Sequence, residues 1–178
     1  MRAPDSAGFN DFLRSHIIHD KPVLPMTVAV AHMASTVLHC HPGYHMAGVE
    51  EAKLYGGVTL SEDVDAIVKM TRLSKDDGKV VVNCQILKGG KQPAYGCTVV
   101  LSAKPLTPPQ GPAWRPPEDS AKRLTVEQMY DGQTLFHGPL LQGLKEVVSI
   151  SSDALLARCV DVPLDAKQAR TPPPACHQ

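Results

Sequence analysis

The chain has 178 residues, 18 basic against 18 acidic, for a formal net charge of zero with 43% hydrophobic side chains. That length suits one domain with a sizeable core, or one domain and part of another, and the charge balance gives no electrostatic footprint for nucleic acid or an anionic membrane. Five cysteines without paired spacing and no run near the ~18 apolar residues of a membrane span point away from a disulfide framework and toward a soluble protein of the reducing cytoplasm.

The first distinctive stretch is Ser15 to Thr27, "SHIIHDKPVLPMT", with two histidines three apart and a proline on either side of Val-Leu. Pro25 is placed as a first-turn proline. The run "MTVAVAHMASTVLHC" behind it is apolar or small almost all round, the pattern of a helix buried on every side. Pro42 and Gly43 mark its end. Ala29, Ala31, Ala34 and Ser35 keep the helix thin enough for close approach of a sheet, and Val28, Ala31 and Val37 are expected in the core.

The next periodic block alternates. In "VDAIVKMTRLS", Val64, Ala66, Val68 and Met70 share one face. "SKDDGK" reads as a turn, "VVVNCQIL" puts Val80, Val82, Cys84 and Ile86 on one face, "KGGK" turns again, and "YGCTVVLSA" makes a third strand. A long buried helix followed by an antiparallel meander that must cover it is the α+β arrangement of a hotdog fold, expected over residues 1–104.

Residues 105–117, "PLTPPQGPAWRPP", hold six prolines in thirteen positions and read as a stiff linker. Beyond it, residues 118–165 carry a short helical or turn segment and two strand-like runs, "LKEVVSIS" and "ALLARCV". Residues 166–178 read as a disordered tail. The histidines and cysteine at His32, His39, Cys40, His41 and His45 lack the paired spacings of structural zinc sites, so no metal is expected there. His39 and His41 instead suit a helix C-terminus, where positive charge complements the dipole.

Two segments carry a resemblance. "HIIHDKPVLP" resembles the HxxxGxxxxP motif of the dehydratase domains of polyketide synthases and polyunsaturated fatty acid synthases, with His16 as the histidine, Pro25 as the proline and Asp20 at the glycine position. "LFHGPLLQGL" is similar to the same family's second signature. Gly138, Pro139 and Gln142 match it, while His137 replaces the usual tyrosine and Leu141 a phenylalanine.

The resemblance implies a double hotdog whose two halves lend a histidine and an aspartate to an acyl tunnel. The implied substrate is a 3-hydroxyacyl chain on the phosphopantetheine of an acyl carrier protein, with other synthase domains as partners and no cofactor. Dehydration needs a base for the proton beside the thioester carbonyl, and a histidine near neutral pKa suits that task. The developing enolate needs donors, which the free N–H groups at a helix start beginning with Pro25 and Met26 can supply. His16 is thus the expected base, and Pro25, Met26, His137, Gly138 and Pro139 are expected around the substrate.

The departure lies at the far end. The family's aspartate is followed four residues later by glutamine or histidine, whereas Asp165 and Gln168 stand three apart in a stretch without apolar periodicity. The second hotdog therefore reads as incomplete. The helix from Met26 to Cys40 contains no Asp or Glu, so self-association would cover open sheet edges without restoring an acid. Asp20 or a carboxylate from another polypeptide is left for that role. The competing reading is a non-catalytic hotdog that binds an acyl chain or scaffolds a synthase; a hotdog thioesterase ranks third, since its helix carboxylate is also missing.

Overall fold

The computed structural model describes residues 13–59, 66–76, 78–107, 110, 124–151 and 154–160. In chain order the elements are β1 (Ile17–Ile18), β2 (Lys21–Pro22), α1 (Met26–His39), β3 (His45–Leu54), β4 (Ala66–Asp76), β5 (Lys79–Lys88), β6 (Gln92–Ser102), α2 (Val126–Met129), a 3-10 turn (Pro139–Leu141), β7 (Leu144–Ile150) and β8 (Leu155–Cys159). The described residues divide into two compact units, one formed within residues 23–107 and the other by residues 13–22 together with those from 110 to 160. The His16 segment groups with residues that follow the proline-rich stretch. Most of the linker, the tail and Asp165 lie outside the described residues.

In the first unit the strands form one antiparallel sheet of order β3-β6-β5-β4, and α1 packs against β6, β3 and β5. The period of two explains which side chains meet. Val80, Val82, Cys84 and Ile86 of β5 are all buried, and their register partners Leu101, Val99, Cys97 and Tyr95 on β6 are buried with them. Ala29, Met33, Ala34 and Val37 of α1 complete this cluster. A helix on a curling antiparallel sheet is the hotdog arrangement, as the sequence pattern implied.

Two expectations need correction. Helix α1 is not buried on every side: Thr27, Ala31, Ser35 and His39, each four apart, are exposed, and Val28 is half-buried. Small residues gave no sign of which face meets the sheet, because alanine is accepted by either environment. The sequence pattern also assigned no element to β3. That strand is exposed along most of its length, its register slips between Met46 and Gly48 and between Glu50 and Lys53, and Glu51 has φ of 49°. Bulges erase the two-residue alternation that would have revealed it.

Local chemistry fixes the connections. Gly89 and Gly90 have φ of 56° and 72° in the β5–β6 turn, a conformation that side chains disfavour. Tyr95 is 1% exposed, and its hydroxyl donates to the Leu24 carbonyl at 2.6 Å while accepting the Val58 amide at 3.2 Å. This one side chain ties the lead-in of α1 and the loop after β3 to the central strand. Burial pushes the Cys84 thiol up to about 12, helped by neighbouring Cys97, and raises Cys97 as well. Both are free, buried thiols, whereas Cys159 is free and exposed. Cys40 is disulfide-bonded, which the odd cysteine count did not suggest. Among the described residues no helix is long and apolar enough to cross a membrane.

The second unit is built from short pieces. Strands β1 and β2 form a hairpin with Ile18 opposite Lys21, so His19 and Asp20 are its whole loop. Their φ values of 49° and 61° match a type I′ turn. Strands β7 and β8 pair antiparallel as a separate two-stranded sheet. Helix α2 is a single turn closed by a capping box, in which the Thr125 hydroxyl accepts from the Gln128 amide at 3.2 Å and Gln128 Oε1 accepts from the Thr125 amide at 2.9 Å.

Candidate active site

Residues 13–16 and 135–142 build the site, all within the second unit. After α2, the Asp131 carboxylate accepts the amides of Gln133 and Thr134 at 2.8 and 2.7 Å, and the Leu135 amide donates to the Met129 carbonyl at 2.8 Å. The chain is thereby turned so that Phe136 and His137 leave α2 in a defined direction. Gly138 then begins the 3-10 turn with Pro139 as its first residue, where the missing N–H costs nothing. Gln142 closes the segment: its Nε2 donates to the His137 carbonyl at 3.0 Å.

The histidine of the first motif lies against this segment. The His16 and His137 ring centroids are 5.6 Å apart and tilted by 50°. His16 meets Phe136 edge-on at 5.1 Å, and Phe136 stacks on His137 at 4.5 Å. Burial, and next the charge of His16, hold the His137 imidazole below its ordinary value. At neutral pH His137 is therefore a neutral ring, able to accept or donate one hydrogen bond at each nitrogen.

Backbone geometry explains the Gly-Pro of the second signature. The Gly138 amide donates to the Ser15 carbonyl at 2.7 Å. A Cβ at 138 would sit 2.9 Å from the Cα of Ser15, closer than real Cβ contacts allow. Gly138 has an unremarkable φ of −73°, so the residue is glycine for space and not for conformational freedom. Asp20 is the opposite case. Its positive φ explains why the related motif has glycine at that position, and aspartate is among the few other residues that tolerate it.

Of the residues expected at the site, His16, His137, Gly138 and Pro139 are brought together. Pro25 and Met26 belong to the first unit, as the N-cap and first residue of α1, where no side chain caps the helix start and no acidic residue lies in its first turn. His19 and Asp20 form the exposed hairpin loop. Sequence reasoning missed Ser15 and Phe136. Phe136 had a signal, an aromatic beside the Gly-Pro signature; a lone serine before a histidine has none. Among the described residues, no group of three or more His, Cys, Asp or Glu could hold a metal ion.

No family model matches the chain. Over 161 residues it is 40% identical to one of the subunits of the polyunsaturated fatty acid synthase of Thraustochytrium sp., a stretch that is 89% of this chain and 6% of that much longer polypeptide. In sequence the chain is similar to this short stretch of a polyunsaturated fatty acid synthase subunit, and in fold it is similar to dehydratase domains of polyketide synthases. The dehydratase domain of a mycocerosic acid synthase-like polyketide synthase superposes with a TM-score of 0.58 at 17% identity, covering 89% of this chain and 55% of that one. The dehydratase domain of PpsC from Mycobacterium tuberculosis gives 0.53 at 23%, with the same two coverages. The chain thus spans about half the length of the solved dehydratase domains it matches and a small part of the Thraustochytrium synthase polypeptide.

Proposed function

We propose that this chain carries the base-bearing part of a dehydratase acting on 3-hydroxyacyl thioesters in polyketide or polyunsaturated fatty acid synthesis. The observation that supports it most is the contact of His16 with the His137–Gly138 segment: two motifs more than a hundred residues apart in sequence meet where the related signatures require a site. The similarity to a stretch of a polyunsaturated fatty acid synthase subunit and the hotdog arrangement lend further support.

In this reading the imidazole of His16 takes the proton from the carbon beside the thioester carbonyl. The electron pair forms the new carbon–carbon double bond as the C3–oxygen bond breaks, and the hydroxyl leaves as water after receiving a proton from an acid. The neutral His137 ring and the Gly138-Pro139 turn border the acyl chain. The acyl chain would arrive on the phosphopantetheine arm of a carrier protein, alongside other synthase domains in the cytoplasm. No residue of this chain is assigned as the acid; α1 carries no carboxylate to offer.

The test is a dehydration assay of the purified chain on a carrier-bound 3-hydroxyacyl thioester, with and without His16→Ala. Absence of a general acid lowers the rate by about 10²–10⁴-fold, so slow turnover that disappears in His16→Ala is the expected result. Turnover unchanged in His16→Ala would refute His16 as the base. Tight binding of the acyl carrier without any turnover would favour the non-catalytic, acyl-binding reading.

A further inference from the structure

We infer that Ser15 is a positioning residue, which sets the spacing of His16 against His137 by holding the two site segments together at both of its oxygen atoms. Its consequence for catalysis rests on the dehydratase reading; its structural content does not.

Ser15 is 4% exposed, one of four buried polar residues among those described. It stands in a turn, two residues after the helical Leu13 and immediately before His16. Two of its partners come from the distant segment. The Ser15 carbonyl accepts the Gly138 amide at 2.7 Å, and the Ser15 Oγ accepts the Leu140 amide at 3.2 Å. Pro139 between them has no N–H, so these are the two amides that the Gly138–Leu140 stretch can offer, and one serine takes both. The absence of a side chain at Gly138 lets the segment approach the Ser15 Cα closely enough for this.

A clamp so close to the histidine has little slack. The His16 amide is also fixed, donating to the Leu13 carbonyl at 3.0 Å, and Leu13 is buried at 3% exposure. Backbone bonds therefore hold the chain on the side of His16 that faces Leu13, and Ser15 holds it to the segment of His137. Of the two Ser15 contacts, only the hydroxyl bond depends on the side chain. A residue without that hydroxyl keeps the carbonyl contact and loses the second point that prevents rotation about it.

The experiment uses the 178-residue chain with Ser15→Ala, and Ser15→Cys as a variant that retains a weaker acceptor. Ring-proton NMR reads the geometry without any activity. The expected result for Ser15→Ala is weaker cross-relaxation between the His16 ring and the rings of Phe136 and His137, and a His137 titration midpoint that rises toward the ordinary imidazole value. Ser15→Cys should fall between wild type and Ser15→Ala, and it carries the same readouts if Ser15→Ala does not fold. On the carrier-bound substrate, kcat should fall on the order of 10-fold or more with KM little changed, since small misplacements of a reacting group are costly. Unchanged ring contacts and titration in Ser15→Ala would overturn the inference. So would altered ring contacts with undiminished kcat. If the wild-type chain shows no turnover, it is the dehydratase reading that fails, and the NMR result alone decides whether Ser15 sets the spacing.

Discussion

The two units of this chain hold their shape by different means. In the first, helix α1 and strands β5 and β6 bury a continuous apolar cluster from Ala29 to Leu101, with Met33, Val37, Val80 and Val99 fully enclosed. In the second, the site segments are joined by a serine's two oxygens, a glycine amide, a glutamine side chain and a cluster of three rings, of which Phe136 and His137 stack and His16 meets Phe136 edge-on. Apolar burial is strong and tolerant of direction, whereas hydrogen bonds contribute less each but fix angles. A scaffold of the first kind tolerates imprecision. The proposed proton-transfer site depends on angles, and its segments are joined by the second kind.

Substitutions can separate the two. The largest effect is expected from Met33→Ala in the first unit, where an enclosed side chain is replaced by a cavity: a loss of about 2–5 kcal/mol in chemical denaturation, with the His137 titration unmoved. Next is Gly138→Ala, which forces a Cβ against the Ser15 backbone and costs about 1–3 kcal/mol as an overpacked contact. Unlike Met33→Ala, it should also abolish the ring contacts of His16 with His137. Because Gly138 has an ordinary φ, any loss is due to the clash and not to backbone strain.

Acid should weaken both units by a smaller amount. Burial lowers the pKa of His32 on α1, and burial with the charge of His16 lowers that of His137. The folded state therefore binds protons less readily than the unfolded one. Stability contributed by these neutral rings is present above the free-imidazole value of 6.5 and is lost as pH falls through that value toward the folded-state pKa. Thermal melts at about pH 7.5 and pH 5.5, on either side of it, check this: a higher melting temperature at the lower pH would contradict the assignment. The smallest effect, and a gain, is expected from Asp20→Gly. Relieving a side chain at φ of 61° should add about 0.5 kcal/mol in the same denaturation experiment, offset in part by the greater freedom of glycine when unfolded.

How much of this could be read from the sequence follows the same division. The core strands were legible because β5 is covered on one face and alternates without interruption, and the motif residues His16, His137, Gly138 and Pro139 were legible from their resemblance. Strand β3 was not, since its bulges break the period, and the exposed line of α1 was not, since Thr27, Ala31 and Ser35 are small enough for either environment. Ser15 was invisible for a different reason. Its role is carried half by a backbone carbonyl, which every residue possesses, and no pattern of side chains reports where a carbonyl points.

Strand β4 has β5 on one side and, among the described residues, no partner on the other. Ile67, Met70 and Leu73 on it are exposed, and Lys69, Arg72 and Lys75 are interleaved with them. Two such strands from two molecules would bring positive charge against positive charge as their backbones aligned, so the basic residues act as a kinetic guard on an otherwise adhesive edge. Salt shortens the reach of that repulsion. The colloidal behaviour of this chain should therefore run opposite to simple salting-in: solutions clear at low ionic strength and self-associate as electrolyte is added.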